Sequence, residues 1–335
     1  MGAAITITQT CDSSGFCNKT ASRDQDGPAV VNAVEASMNE SMNELGFNPD
    51  ATVLSDSKMF DEELLAESQT YFTREVAELL LLPIPDGDGP QSRPKYTFRT
   101  GATYEGQWKG NLRHGLGKQV WKDGARFVGN WKENAATGQG MFVHPDGDYF
   151  IGQWYCNSAQ GTGTTYSREG VPMYRGQWVH DLQHGNGVES WQGGEYRGQF
   201  AWGKKHGYGV FEWPDNSRYS GDWRSNSIQG FGHYVASDGR EFNGMWNESV
   251  THGRGQYRWP DGRAFSGQYV NDRKEGFGVY TWPGGSSFSG WWLGGKQHGH
   301  GILRQENQQI IKEGIWTHGQ APQREEAARE MVIGA

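Results

Sequence analysis

A short element, aromatic-x-Gly-x-aromatic, returns through this chain at a nearly constant step. It opens at Tyr104/Gly106/Trp108 and continues at Phe127/Gly129/Trp131, Phe150/Gly152/Trp154, Tyr174/Gly176/Trp178 and Tyr196/Gly198/Phe200. Tyr219/Gly221/Trp223, Phe242/Gly244/Trp246, Phe265/Gly267/Tyr269 and Phe288/Gly290/Trp292 follow, and a degenerate tenth copy stands at Lys312/Gly314/Trp316. The central glycines lie 23, 23, 24, 22, 23, 23, 23, 23 and 24 residues apart. Such a beat marks a repeat array in which each unit buries its apolar surface against its neighbours.

Each unit carries a second signature about nine residues on, a Gly-x-Gly pair such as Gly115/Gly117, Gly207/Gly209 or Gly299/Gly301. Asp-Gly or an equivalent usually follows, as at Asp123-Gly124 and Asp261-Gly262. These dipeptides tolerate positive φ at two successive positions, as tight hairpin turns require. One unit therefore reads as strand, short turn, strand, tight turn. Side chains alternate across a strand, so Tyr104, Gly106 and Trp108 share one face, as do Gly253, Gly255, Tyr257 and Trp259. Glycine among rings on one face leaves room for an aromatic ring to lie on the backbone, which buries area without a second layer.

The pattern resembles the MORN (membrane occupation and recognition nexus) repeat, which begins Tyr-x-Gly-x-Trp and continues through His-Gly-x-Gly to Asp-Gly. The nearest copy runs from Tyr104 to Gly124 with Arg113-His114-Gly115 in place. Phe200 and Tyr269 replace the central Trp, Ala159-Gln160 replace the basic-His pair of the third unit, and the last unit lacks its second strand. The resemblance implies an all-β repeat: an elongated, twisted, single antiparallel sheet of stacked hairpins with an aromatic groove. Two strands per unit at ~4.8 Å each would span about 90 Å.

Composition divides the chain near residue 98. All 15 tryptophans fall at or after Trp108, and residues 1–95 carry a charge balance of −10 against +2 for the remainder. The expected organisation is a disordered, acylated leader rich in Ser, Asn and Asp over 1–56, an amphipathic helix over 57–83 and a linker over 84–98. The repeat array then fills 99–319, nine units and a partial tenth, and 320–335 form a tail. Phe60, Leu64, Tyr71, Phe72, Val76, Leu79 and Leu80 supply the helix periodicity, and Pro83 and Pro85 end it. Two roles are open to this helix: laid on the sheet it would cap the first hairpins, and otherwise it would offer its apolar face to another protein.

Catalytic and cofactor chemistry find no foothold. His114, His184, His206, His252, His298 and His318 sit at one repeat phase, so neighbouring copies stand ~10 Å apart, far beyond the ~2 Å of a zinc–nitrogen bond. Gly198 to Lys204 and Gly290 to Lys296 mimic a phosphate loop but lack the following Ser/Thr and helix. The reading is no enzyme, no cofactor and no metal. A net charge of −8 gives no general reason to bind nucleic acid.

Met1-Gly2-Ala3-Ala4-Ile5-Thr6 matches the N-myristoylation pattern, with Gly2 as acceptor. One acyl chain anchors only marginally, so palmitoylation of Cys11 or Cys17 would supply the second signal. The expectation is a non-catalytic scaffold at the cytoplasmic face of a membrane, holding a protein partner as a helix or extended peptide in the groove. Candidate groove residues are Trp178, Tyr196, Trp202, Trp213, Tyr219, Trp223, Trp246 and Trp259. Two alternatives are direct phospholipid binding, with Lys204, Lys205, Arg273 and Lys274 as anionic-lipid contacts, and an axonemal role like that of radial spoke head proteins, which resemble this array too.

Overall fold

A computed structural model describes residues 71–83 and 91–323. Their strands form one open sheet of twenty. The first is β1 (Gln91–Thr97), followed by β2 (Thr103–Lys109) and β3 (Leu112–Val120), and the last is β20 (Ile310–Trp316). Each strand pairs antiparallel with its successor, from β1 on β2 and β2 on β3 through to the final pair. Every neighbour in space is thus a neighbour in sequence, as a tandem of hairpins dictates.

Two sets of contacts replace a conventional core. Within a unit, the first ring lies over its own glycine pair, and a Cβ added to Gly117 would fall 2.5 Å from Tyr104 Cζ. Between units, Trp131, Trp154, Trp178, Trp223, Trp246 and Trp292 each donate the indole N–H to the carbonyl of the preceding unit's second glycine. Trp131 reaches Gly117 O at 3.1 Å, Trp154 reaches Gly140 O at 3.0 Å and Trp292 reaches Gly278 O at 3.2 Å. The rings meet edge to face, the arrangement their quadrupoles favour. Tyr104 packs on Trp108 at 4.9 Å and Trp131 at 5.6 Å, and the herringbone continues to Phe288 on Trp316 at 4.9 Å.

The two glycines of each Gly-x-Gly pair do different work, a distinction that parity did not reveal. Gly117 seats the ring, whereas Gly115 has φ +64° and forms a bulge opposite Gln107, whose Oε1 accepts from Leu116 N at 2.9 Å. The turns also differ from expectation. At Asp123-Gly124 only Gly124 has positive φ, while two successive positive values occur at glycine-free pairs such as Glu133-Asn134 and Asn271-Asp272. Their second residue stabilises the corresponding turn of the preceding unit: Arg113 N donates to Asn134 Oδ1 at 2.8 Å, and Thr251 N to Asp272 Oδ1 at 2.7 Å. Asn and Asp tolerate this left-handed backbone better than other residues with side chains.

Two expectations need correcting. The linker over 84–98 contains β1, which pairs Tyr96 with Tyr104 and shifts register between Arg93 and Tyr96, where Pro94 offers no N–H to the ladder. The single helix over 57–83 is, in its described part, a helical turn at 71–73 and a short helix α1 (Val76–Leu79), separated by a turn at 74 and 75. Contacts to the sheet account for the break. Arg74 faces Asp123 at 3.6 Å, and Glu75 accepts from Trp121 Nε1 at 3.2 Å and Thr100 Oγ1 at 3.1 Å. Leu80, counted on the apolar face, is exposed. Phe60 and Leu64 lie outside the described residues, as do the leader and most of the tail.

Candidate functional site

The ring-bearing face carries two aromatic rows. The inner row is the herringbone just described, and its members are buried. The outer row comes from the far end of each second strand: Trp121, Phe142, Trp191, Phe211, Trp213, Tyr234, Tyr257, Trp259, Tyr280 and Trp282. Thr165 and Ser167 interrupt it in the third unit, dividing it in two.

The chain's own residues 71–82 cover the first part. Phe72, 1% exposed, packs edge to face on Trp121 at 5.5 Å, Phe127 at 5.2 Å, Trp131 at 5.7 Å and Trp154 at 5.6 Å. Leu79 is fully buried, and its carbonyl accepts from Asn111 Nδ2 at 2.8 Å. Glu78 accepts from Tyr96 Oη at 2.9 Å and from Arg99 N at 2.9 Å. Arg113 lies beneath this segment, and burial brings its guanidinium down to about 10. Phe72 O and Gln119 Oε1 accept from it at 2.8 and 3.2 Å, and it stacks on Trp131.

The second part, from Trp191 to Trp282, stays half-buried apart from Phe211, and among the described residues no ring from outside the sheet packs on it. Its rings touch one another: Trp191–Phe211 at 5.2 Å, Trp213–Tyr234 at 5.7 Å and Trp259–Tyr280 at 5.8 Å. Two lysines stand beneath it at the register position of Arg113, for Lys205 pairs with Phe200 and Lys274 with Tyr269 as Arg113 pairs with Trp108. Lys205 is buried and bonded to Glu189. Lys274 Nζ instead stands 4.9–5.2 Å from the ring centres of Trp259, Phe265, Tyr280 and Trp292.

Burial, with Arg263 adding like charge, brings Lys274 down from 10.5 to about 8. Between these values the unfolded chain binds more protons, so stability rises as pH climbs from about 8 toward 10.5. Lys274→Met is expected to remove that rise and to stabilise the protein by about 1–2 kcal/mol at pH 7, measured by denaturant unfolding at both pH values.

The structure sorts the sequence-derived groove residues. Trp178, Tyr196, Tyr219, Trp223 and Trp246 belong to the buried inner row and offer little surface. Trp213 and Trp259 are in the accessible outer row. Trp202 occupies a hairpin turn with φ +52°, beside His184 at 4.8 Å. The outer-row residues that sequence reasoning omitted, Trp191, Tyr234, Tyr257, Tyr280 and Trp282, share the parity of those it chose. The four cations do not form a strip: strand alternation turns Lys205 and Lys274 into the rings and leaves Lys204 and Arg273 exposed. Gly2, Cys11 and Cys17 lie outside the described residues.

The MORN repeat model matches residues 104–126, 127–149, 174–195, 196–218, 219–239, 242–262, 265–287 and 288–309, more than half of the chain. The chain belongs to the MORN-repeat family. The third unit escapes that match yet forms the same hairpin, Tyr149–Tyr155 on Ser158–Tyr166, with Trp154 and Trp178 bonded in register. MORN repeats are associated with membrane or protein interaction. No match is found among curated protein sequences. Among solved structures, a mutant TCP10 domain of Danio rerio CPAP is similar at 12% identity and TM-score 0.24, over 67% of this chain and 100% of that one. The Drosophila melanogaster SAS-4 TCP domain, in complex with a proline-rich motif of Ana2, is similar at 12% identity and TM-score 0.23, over 62% and 94%. Likeness at that level carries no argument about function.

Proposed function

We propose that this MORN protein is a non-catalytic scaffold that holds a protein partner, as a helix or extended peptide, against the outer aromatic row between Trp191 and Trp282. One observation carries the reading. The first part of the same row is already covered by residues 71–82, so the sheet docks a helical segment through these rings within one chain. Burying such rings drives association, and their N–H and O–H groups supply direction. Phospholipid binding has less support, because two of its four candidate cations are engaged by rings or a carboxylate on the aromatic face. Attachment to the cytoplasmic face of a membrane rests on the Gly2 motif, with Cys11 or Cys17 as second acceptor.

One experiment separates the two functions. Tagged wild type, the triple variant Trp213→Ala/Trp259→Ala/Trp282→Ala and Gly2→Ala are expressed in cells, fractionated, and their bound proteins compared. The triple variant is expected to stay with membranes and lose the partner, whereas Gly2→Ala leaves membranes and keeps it. Unchanged partners on the triple variant would remove the groove reading. Membrane retention of Gly2→Ala would remove the anchor.

A further inference from the structure

Three cations share one register position on the aromatic face, and each has a different environment. Arg113 lies under residues 71–82, which bring it the carbonyl of Phe72 at 2.8 Å and the carboxylate of Glu75, whose charge favours the protonated guanidinium. Lys205 is met by Glu189 from the sheet itself. Lys274 has no carboxylate or carbonyl acceptor among the described residues. Tyr280 stands where Gln119 stands near Arg113, Tyr257 stands where Glu189 stands near Lys205, and Arg263 adds positive charge. Rings stabilise a cation only in part once it is desolvated, and a carboxylate completes the pairing.

We propose that the face formed by β15 (Val250–Arg258), β16 (Ala264–Val270), β17 (Arg273–Thr281) and β18 (Ser287–Leu293) binds an acidic amphipathic helix of a protein partner. An aromatic side chain of that helix packs beside Trp259 and Tyr280, and a carboxylate one turn on meets Lys274. Residues 71–82 provide the pattern: Phe72 in the helical turn at 71–73 is the anchor, and Glu75, three residues later in the turn that leads into α1, stands beside a cation of the same register. Three-residue spacing places both groups on one side of a helical turn. The inference rests on the reading of the open row as a protein-binding surface and adds the charge and anchor of what it binds.

A display library of 16-residue helix-forming peptides, unbiased in charge, is panned against the full-length protein. Enriched peptides are then titrated against wild type, Lys274→Met, Lys274→Arg and the Trp213/Trp259/Trp282 triple alanine variant. Enriched sequences are expected to carry an aromatic residue followed three or four positions on by Asp or Glu. Their affinity is expected to fall at least tenfold in Lys274→Met and to stay within about threefold in Lys274→Arg. Neutral or basic peptides, or binding indifferent to Lys274→Met yet lost in the triple variant, would overturn this inference and leave the groove reading standing. Peptides indifferent to all variants would overturn both. Vesicles of phosphatidylserine and phosphatidylcholine form a parallel arm: wild-type flotation that disappears in Lys274→Met would assign the cation to lipid and also overturn the proposal.

Discussion

Gly232→Ala is expected to destabilise the array by about 3 kcal/mol or more, because an alanine Cβ has nowhere to go. It would fall 2.5 Å from Tyr219 Cζ, and Tyr219 is fully buried. Positive φ plays no part at this glycine, so the effect is steric alone. The same change in a Tyr219→Ala background should therefore cost under ~1 kcal/mol, giving a large coupling in a double-mutant cycle. Gly262→Ala is the contrast: its φ is +89° and nothing lies within 4 Å of the added Cβ, so only backbone strain of about 1 kcal/mol is expected. Urea unfolding monitored by tryptophan fluorescence measures all four. Equal losses in the two Gly232→Ala backgrounds would show that the ring does not rest on that glycine.

Phe72→Ala should rank beside it. The ring is 1% exposed and enclosed by Trp121, Phe127, Trp131, Phe142 and Trp154, so truncation leaves a cavity that rings bonded in register cannot close. A loss of about 3–5 kcal/mol is expected, concentrated where residues 71–82 lie. Units of a repeat array touch only their neighbours, so hydrogen exchange should accelerate from β1 through the strand Tyr149–Tyr155 that carries Trp154 and remain unchanged toward β20. Arg113 would be uncovered by the same change, which makes the cost larger than the ring alone. Uniform acceleration across the sheet, or none, would count against this segment as a local cover.

The period, the strand count per unit and the shared face of rings were legible in the sequence because glycine and tryptophan recur at fixed phase. Other features depend on what a neighbouring unit contributes and leave little trace within one unit. Trp213 and Trp223 have the same residue type and face, but only Trp223 reaches the previous unit's glycine carbonyl, at 3.3 Å from Gly209 O, and is thereby buried. That offset between strands separates a structural row from an accessible one, and parity does not encode it. Asn134, Asn157 and Asp272 signal the stacked turns, yet their hydrogen-bond partners stand 21 residues away. β1 was hidden because it carries neither the glycine nor the tryptophan of the repeat, and Pro94 argues against a strand unless it lies at an edge. The break at 74 and 75 was hidden because a helix-periodic sequence says nothing of side chains drawn sideways onto Trp121 and Asp123.

The division of the aromatic face into a row that holds the sheet and a row that holds a partner is tested most directly by comparing Trp246→Ala with Trp259→Ala. Trp246 is 2% exposed and donates to Gly232 O at 3.4 Å, whereas Trp259 is half-buried in the outer row. Unfolding free energy should fall by about 3–5 kcal/mol for Trp246→Ala and by under ~1.5 kcal/mol for Trp259→Ala. Equal losses, or a larger loss at Trp259, would mean that both rows serve the sheet alone.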